Sequence, residues 1–236
     1  MTDLVSTSFD RLSASELIEL DQLLTSSERW NAFYSDRARP CPFFVDKPDE
    51  CLAEWTAQGL LRPGQAVDIG CGHARNAVHL ARSGFNVEAI DYSETAIAWA
   101  TEAAQAAGVE LALRCISVFD ASWPRDSHDL IYDSGCFHHI APHRRQQYVD
   151  IVVGALKPRG WFAMTCFRPE GGSGLRDHEV YEQRSLRGGL GYTEERLREI
   201  WGQRLDICEI RPMREQTETS AMFGKDFLWA LLAQKP

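Results

Sequence analysis

The sequence predicts an α/β protein built on a doubly wound, mostly parallel seven-stranded sheet with an antiparallel final strand. Three observations carry that prediction. From residue 65 onward, short apolar and β-branched runs alternate with helical patterns, the rhythm of right-handed crossovers between parallel strands. The first run, Gln65–Ile69, ends on Gly70 and Gly72 and leads straight into a helix, as in open sheets that bind ligands at the C-terminal edge of their strands. The last two runs have no helix-length pattern between them, so they are expected to return as an antiparallel edge.

The elements follow in order. Ser13 and Glu16 have capping-box spacing ahead of Leu17, Ile18 and Leu20, which predicts a short N-terminal helix. Residues 30–44 crowd Trp30, Phe33, Tyr34, Phe43 and Phe44 around Arg37, Arg39, Pro40 and Pro42. The prolines argue against a regular element and the aromatics against a free linker, so an ordered flap is expected. Residues 49–60 read as an amphipathic helix ending at Gly59. A helix over 75–82 is stopped by Gly84, and a second strand over 85–90 ends at Asp91. Ser93 caps an alanine-rich helix over 94–107 that Gly108 terminates. Strands are expected over 110–119 and 129–133. Pro142 opens a helix over 143–156, the turn 157–160 follows, and a fifth strand covers 161–167. Thr193 caps a helix reaching about Trp201, and strands over 205–211 and 226–234 close the chain. The glycine-rich connection 169–192 is long, and long connections at this edge are commonly functional.

Composition narrows the function. With 236 residues, 44% apolar and 25% charged, the chain suits one α/β domain (61–236) behind an N-terminal extension and flap (1–60). The net charge of −9 disfavours a nucleic-acid partner, whose binders are usually basic. No apolar run reaches the ~18 residues of a membrane span and no leader pattern opens the chain, so a cytoplasmic protein is expected. Seven scattered cysteines without a C-x-x-C pair read as free thiols rather than disulfides or a zinc knuckle. The oligomeric state is left open.

The segment Val67-Asp68-Ile69-Gly70-Cys71-Gly72 carries the strongest local signal. The first glycine makes a tight turn, the second lets a ligand press on the backbone, and the helix behind offers unpaired N–H groups. The third glycine of a dinucleotide fingerprint is replaced by Arg75. Asp91 follows Gly72 by 19 residues at the end of the second strand, where a carboxylate accepts ribose hydroxyls.

These residues resemble the class I S-adenosylmethionine-dependent methyltransferases. Asp91-Tyr92-Ser93 resembles that family's ribose-binding position, Ser117-Val118-Phe119-Asp120 its adenine-binding segment, and Asp133-Ser134-Gly135-Cys136-Phe137-His138-His139 the motif after its fourth strand. The chain is similar to the small-molecule branch that includes thiopurine- and tellurite-type methyltransferases. The resemblance covers roughly residues 60–236. It implies S-adenosyl-L-methionine as cofactor, a small-molecule acceptor, and transfer to O, N or S. It further implies that Gly70, Cys71 and Gly72 face the methionine part, Asp68 lies under the amino end, and Asp91 takes the ribose. Tyr92 and Val118–Phe119 flank the adenine, Asp133 sits near the sulfonium and amino group, and Trp30 covers the cofactor. Ser117 departs from the family's usual Asp, which leaves Asp120 or a backbone carbonyl to hold the adenine amino group.

His138 and His139 follow the fourth strand at the ligand-binding edge and are the candidate catalytic residues, as a general base for an acceptor that carries a proton. With His143 they invite a metal reading, but Pro142 breaks the helix that such a site needs and no metal is expected. Phe43 and Phe44 would line a planar acceptor, and Arg168 would meet an acidic group on it. Arg37 or Arg39 would pair with the cofactor carboxylate. Competing readings are an NAD-dependent oxidoreductase, disfavoured by Arg75 and the antiparallel ending, and a non-catalytic nucleoside-binding protein of the same fold.

Overall fold

A computed structural model describes residues 13–24 and 27–236. The first twelve residues of the N-terminal extension, on which the expectation about a leader falls, lie outside the described residues. The elements are α1 (Ala14–Leu24), α2 (Ser27–Ser35), α3 (Glu50–Ala57), β1 (Gln65–Ile69), α4 (Arg75–Arg82), β2 (Asn86–Asp91), α5 (Glu94–Ala107), β3 (Ala112–Cys115), β4 (His128–Ser134), α6 (Arg145–Ala155), β5 (Leu156–Phe167), α7 (Asp177–Glu182), α8 (Glu194–Trp201), β6 (Asp206–Pro212) and β7 (Leu228–Gln234). One seven-stranded sheet runs in the order β3-β2-β1-β4-β5-β7-β6. The pairs among β1–β5 are parallel. β7 inserts antiparallel between β5 and β6, as the missing helix before it predicts.

Alternation along the strands makes two cores. Val67, Ile69, Ile131, Phe162 and Met164 face α6 and α8, where Tyr148 and Trp201 pack. Ala66, Leu130, Tyr132 and Ala163 face the opposite layer with Trp55 and Leu80. Both faces are covered, as a parallel sheet requires. Order reverses between β1 and β4, because β2 and β3 lie on one side and β4 and β5 on the other. That switch point opens the crevice at the strands' C-terminal ends.

Local chemistry sets the ends. Ser13 Oγ accepts from the Glu16 N–H at 3.3 Å while Glu16 accepts from the Ser13 N–H at 2.8 Å, the reciprocal box that starts α1. Ser93 Oγ accepts from the Ala96 N–H at 3.1 Å, and Gly108 closes α5 at φ 66°. Thr193 caps α8.

Four expectations change. The flap region is helical through Ser35: Trp30, Phe33 and Tyr34 stand at i, i+3, i+4 and form a stripe, and the prolines begin only at Pro40. The third strand stops at Cys115, because Ile116 makes the last backbone bond to Asp91 at 2.9 Å and the chain then turns in toward the crevice. Residues 157–160 are a bulge within β5 rather than a turn before it: register slips between His128 and Leu130, with Arg159 at φ 65°. The connection after β5 contains the short helix α7.

Candidate functional site

A cavity of about 820 Å³ lies over the C-terminal ends of β1, β2 and β4, within the size of ligand-binding clefts. Its floor is the loop after β1. Gly70 and Gly72 sit at φ 66° and 55°, which favours glycine at both. A Cβ on Gly70 would lie 2.7 Å from Cys136 Cβ, and one on Gly72 would lie 2.8 Å from the Tyr34 hydroxyl. The first glycine therefore admits the loop after β4, and the second admits the flap.

Asp91 ties the loop in place. Its Oδ2 accepts from the Gly72 N–H and its Oδ1 from the Ser93 N–H, both at 2.9 Å. Each oxygen retains lone-pair capacity toward the cavity. Burial pushes its carboxyl above the ordinary range. Asp68 is 1% exposed, lines the cavity, and among the described residues has no partner at hydrogen-bond geometry on either oxygen. Burial, with Asp49 and Asp133 nearby and Arg75 partly offsetting them, raises its carboxyl well above the usual carboxylate range. A buried carboxyl lacking donors is a site that calls for a cation or N–H groups from outside the chain.

The expected adenine-side residues arrive together. Tyr92, Ser117, Val118, Phe119 and Asp120 line the same cavity. Ser117 Oγ accepts from the Phe119 N–H at 3.3 Å, so its hydroxyl shapes the loop. Opposite them the flap closes the crevice. Asn31 Oδ1 accepts from the Ser93 hydroxyl at 2.7 Å, docking α2 on the start of α5. Trp30, Phe33, Tyr34 and Phe43 line the cavity. Phe44 does not, as it packs with Tyr34 and edge-on to Trp99 at 5.0 Å.

Three other expected residues are placed elsewhere. Asp133 accepts from the N–H groups of Cys136 at 2.7 Å and Phe137 at 2.9 Å and from the Tyr148 hydroxyl at 2.5 Å. It is an internal staple for the loop after β4, with burial raising its carboxyl to about 7, and does not line the cavity. Arg168 donates to the Asp226 carbonyl at 2.5 Å and lies over Trp229, which holds it outside the cavity. Arg37 forms a two-pronged pair with Glu102 at 2.6 and 2.9 Å. Of the two flap arginines only Arg39 lines the cavity.

His138 and His139 stand at the far wall, in a 3₁₀ turn after β4. His138 is buried and stacks on Phe167 with centroids 3.7 Å apart and an 11° interplanar angle. Its Nε2 is 3.1 Å from His139 Nε2. The edge of Trp30 meets His139 at 4.6 Å. Burial depresses both: His138 falls well below the ordinary imidazole range, and His139, with Arg29 nearby, falls to about 3. His143 is drawn away to Asp21 and Tyr181, both at 2.9 Å. Among the described residues no cluster of three metal-ligating side chains forms.

A cluster that sequence reasoning missed underpins the floor. Asp49 is fully buried and accepts from Arg75 at 2.7 Å, Asn76 at 3.0 Å, Tyr132 at 2.6 Å and Ser134 at 2.6 Å. Arg75 also donates to the Lys47 carbonyl at 2.9 Å. The residue in the third-glycine position thus anchors the chain descending from the flap. Asp49 occupies the N-cap position of α3, yet its side chain makes no capping hydrogen bond. No local spacing marks its partners.

The comparisons agree with this geometry. Residues 66–160 match the methyltransferase domain family. A curated relative, the 2-heptyl-1-hydroxyquinolin-4(1H)-one methyltransferase of Mycobacteroides abscessus, is 28% identical over 83% of this chain and 81% of its own. Among solved structures, a protein described with the conversion of a disulfide bond into a thioacetal group in echinomycin biosynthesis superposes with TM-score 0.71. It is 21% identical, covering 89% of this chain and 91% of that one. The 1,6-didemethyltoxoflavin-N1-methyltransferase of Burkholderia thailandensis gives 0.66 at 17% identity, covering 95% and 91%. Residues 66–160 thus match a methyltransferase domain, and the chain shares the fold of the Burkholderia N1-methyltransferase.

Proposed function

We propose that the chain uses S-adenosyl-L-methionine to methylate an O, N or S atom of a small, planar, largely apolar molecule. The observation that carries this reading is the unsatisfied Asp68 carboxyl beside the Gly70–Gly72 loop and Asp91, all on one cavity. That set fits the cofactor: Asp68 toward the amino group, the backbone of Gly70, Cys71 and Gly72 along the methionine part, and Asp91 toward the ribose. Tyr92, Val118 and Phe119 would hold the adenine, and Trp30 would cover the cofactor. When bound, the cofactor supplies an activated methyl group whose departure leaves a neutral thioether.

The chain's own residues supply alignment and dryness. α2 and Phe43 supply an apolar wall of the cavity that adjoins the histidine pair, with Trp30 edge-on to His139, which suits a flat acceptor. The M. abscessus relative is named for a quinolone, and an aromatic acceptor here is part of the same reading. His138 and His139 both line the cavity, and we assign the pair to the acceptor's side of it. Residues 1–60 act as the covering segment and 61–236 as the transferase domain. The net charge of −9 supports a small acceptor over nucleic acid. A cytoplasmic setting completes the proposal. Among the described residues no helix is long and apolar enough to cross a membrane.

The test is a methyl-transfer screen with labelled cofactor over thiols, amines, phenols and heterocycles. Turnover of an aromatic heteroatom acceptor is expected. Stoichiometric cofactor binding without transfer to any class would instead favour the non-catalytic nucleoside-binding reading.

A further inference from the structure

The hydrogen bonds around the histidine pair run in one direction. The Phe167 backbone N–H donates to His138 Nδ1 at 3.2 Å. A peptide N–H only donates, so that ring nitrogen carries the lone pair. A neutral imidazole holds its proton on the other nitrogen, here His138 Nε2. That atom lies 3.1 Å from His139 Nε2, so His138 donates and His139 Nε2 accepts. The proton of His139 is therefore on Nδ1. Among the described residues no protein group bonds that nitrogen, and the half-buried ring lines the cavity.

The arrangement cannot easily reverse. His138 is clamped by its stack on Phe167. The Leu190 N–H donates to its carbonyl at 2.8 Å. Gly189 leaves room for the ring, since a Cβ there would lie 2.8 Å from Cδ2. Protonating His138 would set two donors against each other at Phe167. Protonating His139 on Nε2 would do the same at His138. Both lone pairs are already in use, so the general-base role expected from sequence has no free nitrogen to perform it.

We propose that His139 is a hydrogen-bond donor, offering Nδ1–H to an oxygen anion on the acceptor, and that His138 is the positioning residue that fixes this tautomer. This rests on the methyltransferase reading and narrows its substrate class. The acceptor is a planar molecule with an acidic hydroxyl of the phenol, enol or N-hydroxy type, bound already ionised. Transfer then moves no proton through the protein: the oxygen lone pair forms the new bond to the methyl carbon, and the carbon–sulfur pair stays on sulfur.

Two measurements test it. Nitrogen-15 NMR of histidine-labelled protein at pH 7 should show His139 neutral with its proton on Nδ1 and His138 neutral with its proton on Nε2. His138→Phe should release His139 into a mixture of tautomers. A His139 that is cationic, or protonated on Nε2 in the unaltered protein, overturns the proposal. The second probe is 4-nitrophenol, titrated spectrophotometrically with S-adenosylhomocysteine present so that no sulfonium charge contributes. The phenolate should be favoured about tenfold or more over the phenol, as expected for a charge-assisted bond. His139→Asn, whose amide N–H lies where Nδ1 was, should keep the preference, and His139→Phe should lose it. No binding, or no preference for phenolate, overturns the proposal. Calorimetry with S-adenosylhomocysteine on the same samples separates the two readings. Its failure to bind would sink the cofactor assignment while leaving the tautomer result intact.

Discussion

Replacing Arg75 by Met tests whether the buried cluster at Asp49 holds the floor of the site together. Asp49 is fully buried and accepts four hydrogen bonds, only one of them, at 2.7 Å, from a cation. The Arg75 side chain is itself 7% exposed. Met keeps most of the apolar stem over Phe223, which Arg75 covers at 4.6 Å, but removes the charge. Asp49 then keeps three neutral donors and an uncompensated buried charge. Breaking a buried pair from one side costs about 3–5 kcal/mol, or roughly 10 °C in melting temperature for a chain this size. The carboxylate also ties α4 to Tyr132 and Ser134 of β4 and to the chain entering α3, so the loss extends beyond one contact. Denaturant titration of Arg75→Met, Asp49→Asn and the double variant checks this. The double variant should be more stable than the sum of the two losses predicts, because it removes the stranded charges together. A loss below about 1 kcal/mol in Arg75→Met, or strict additivity, would refute the argument.

Three further outcomes follow from the geometry. Asp91→Ala removes the acceptor for the Gly72 and Ser93 N–H groups as well as the proposed ribose contact; each charge-assisted bond contributes about 1.5–3 kcal/mol, so calorimetric affinity for S-adenosylhomocysteine should fall at least tenfold. Asp133 has its carboxyl raised by burial from 3.8 to about 7. The folded state therefore keeps a proton that the unfolded chain has lost, and stability should decline as pH rises from about 4 to 7; Asp133→Asn should flatten that slope in a pH series of denaturant midpoints. Ala74 is buried and holds φ 66° at the start of α4, so Ala74→Gly should relieve left-handed strain of about 1–2 kcal/mol, partly offset by the unfolded chain's entropy, and raise the melting temperature slightly.

The sheet was legible because its signals are local. Alternation marks β1, glycines mark its end, and Ser93 and Gly108 bracket α5 by the rules of helix ends. The crevice was legible for the same reason, since a glycine turn and a carboxylate one crossover later define a switch point. What spacing could not reveal depends on distant partners. Asp133 stands where the sequence puts it, but Tyr148, 15 residues on, takes the carboxylate inward. Asp49 stands at the head of α3 with nothing nearby in sequence to mark it, and its carboxylate reaches residues 75, 76, 132 and 134. Arg168 follows β5 at the ligand-binding edge, and a carbonyl 58 residues later turns it away. The helix α2 was hidden by weighing Pro40 and Pro42 above the stripe formed by Trp30, Phe33 and Tyr34. The histidines were found, but their direction of hydrogen bonding depends on a backbone N–H of β5, which no motif encodes.

The measurement that bears most directly on the whole account is calorimetric titration of the purified protein with S-adenosylhomocysteine and, separately, with NAD. One equivalent of S-adenosylhomocysteine should bind, and NAD should bind far more weakly. Tighter binding of NAD, or no binding of S-adenosylhomocysteine, would contradict the assignment of the Gly70–Gly72 loop, Asp68 and Asp91 to this cofactor.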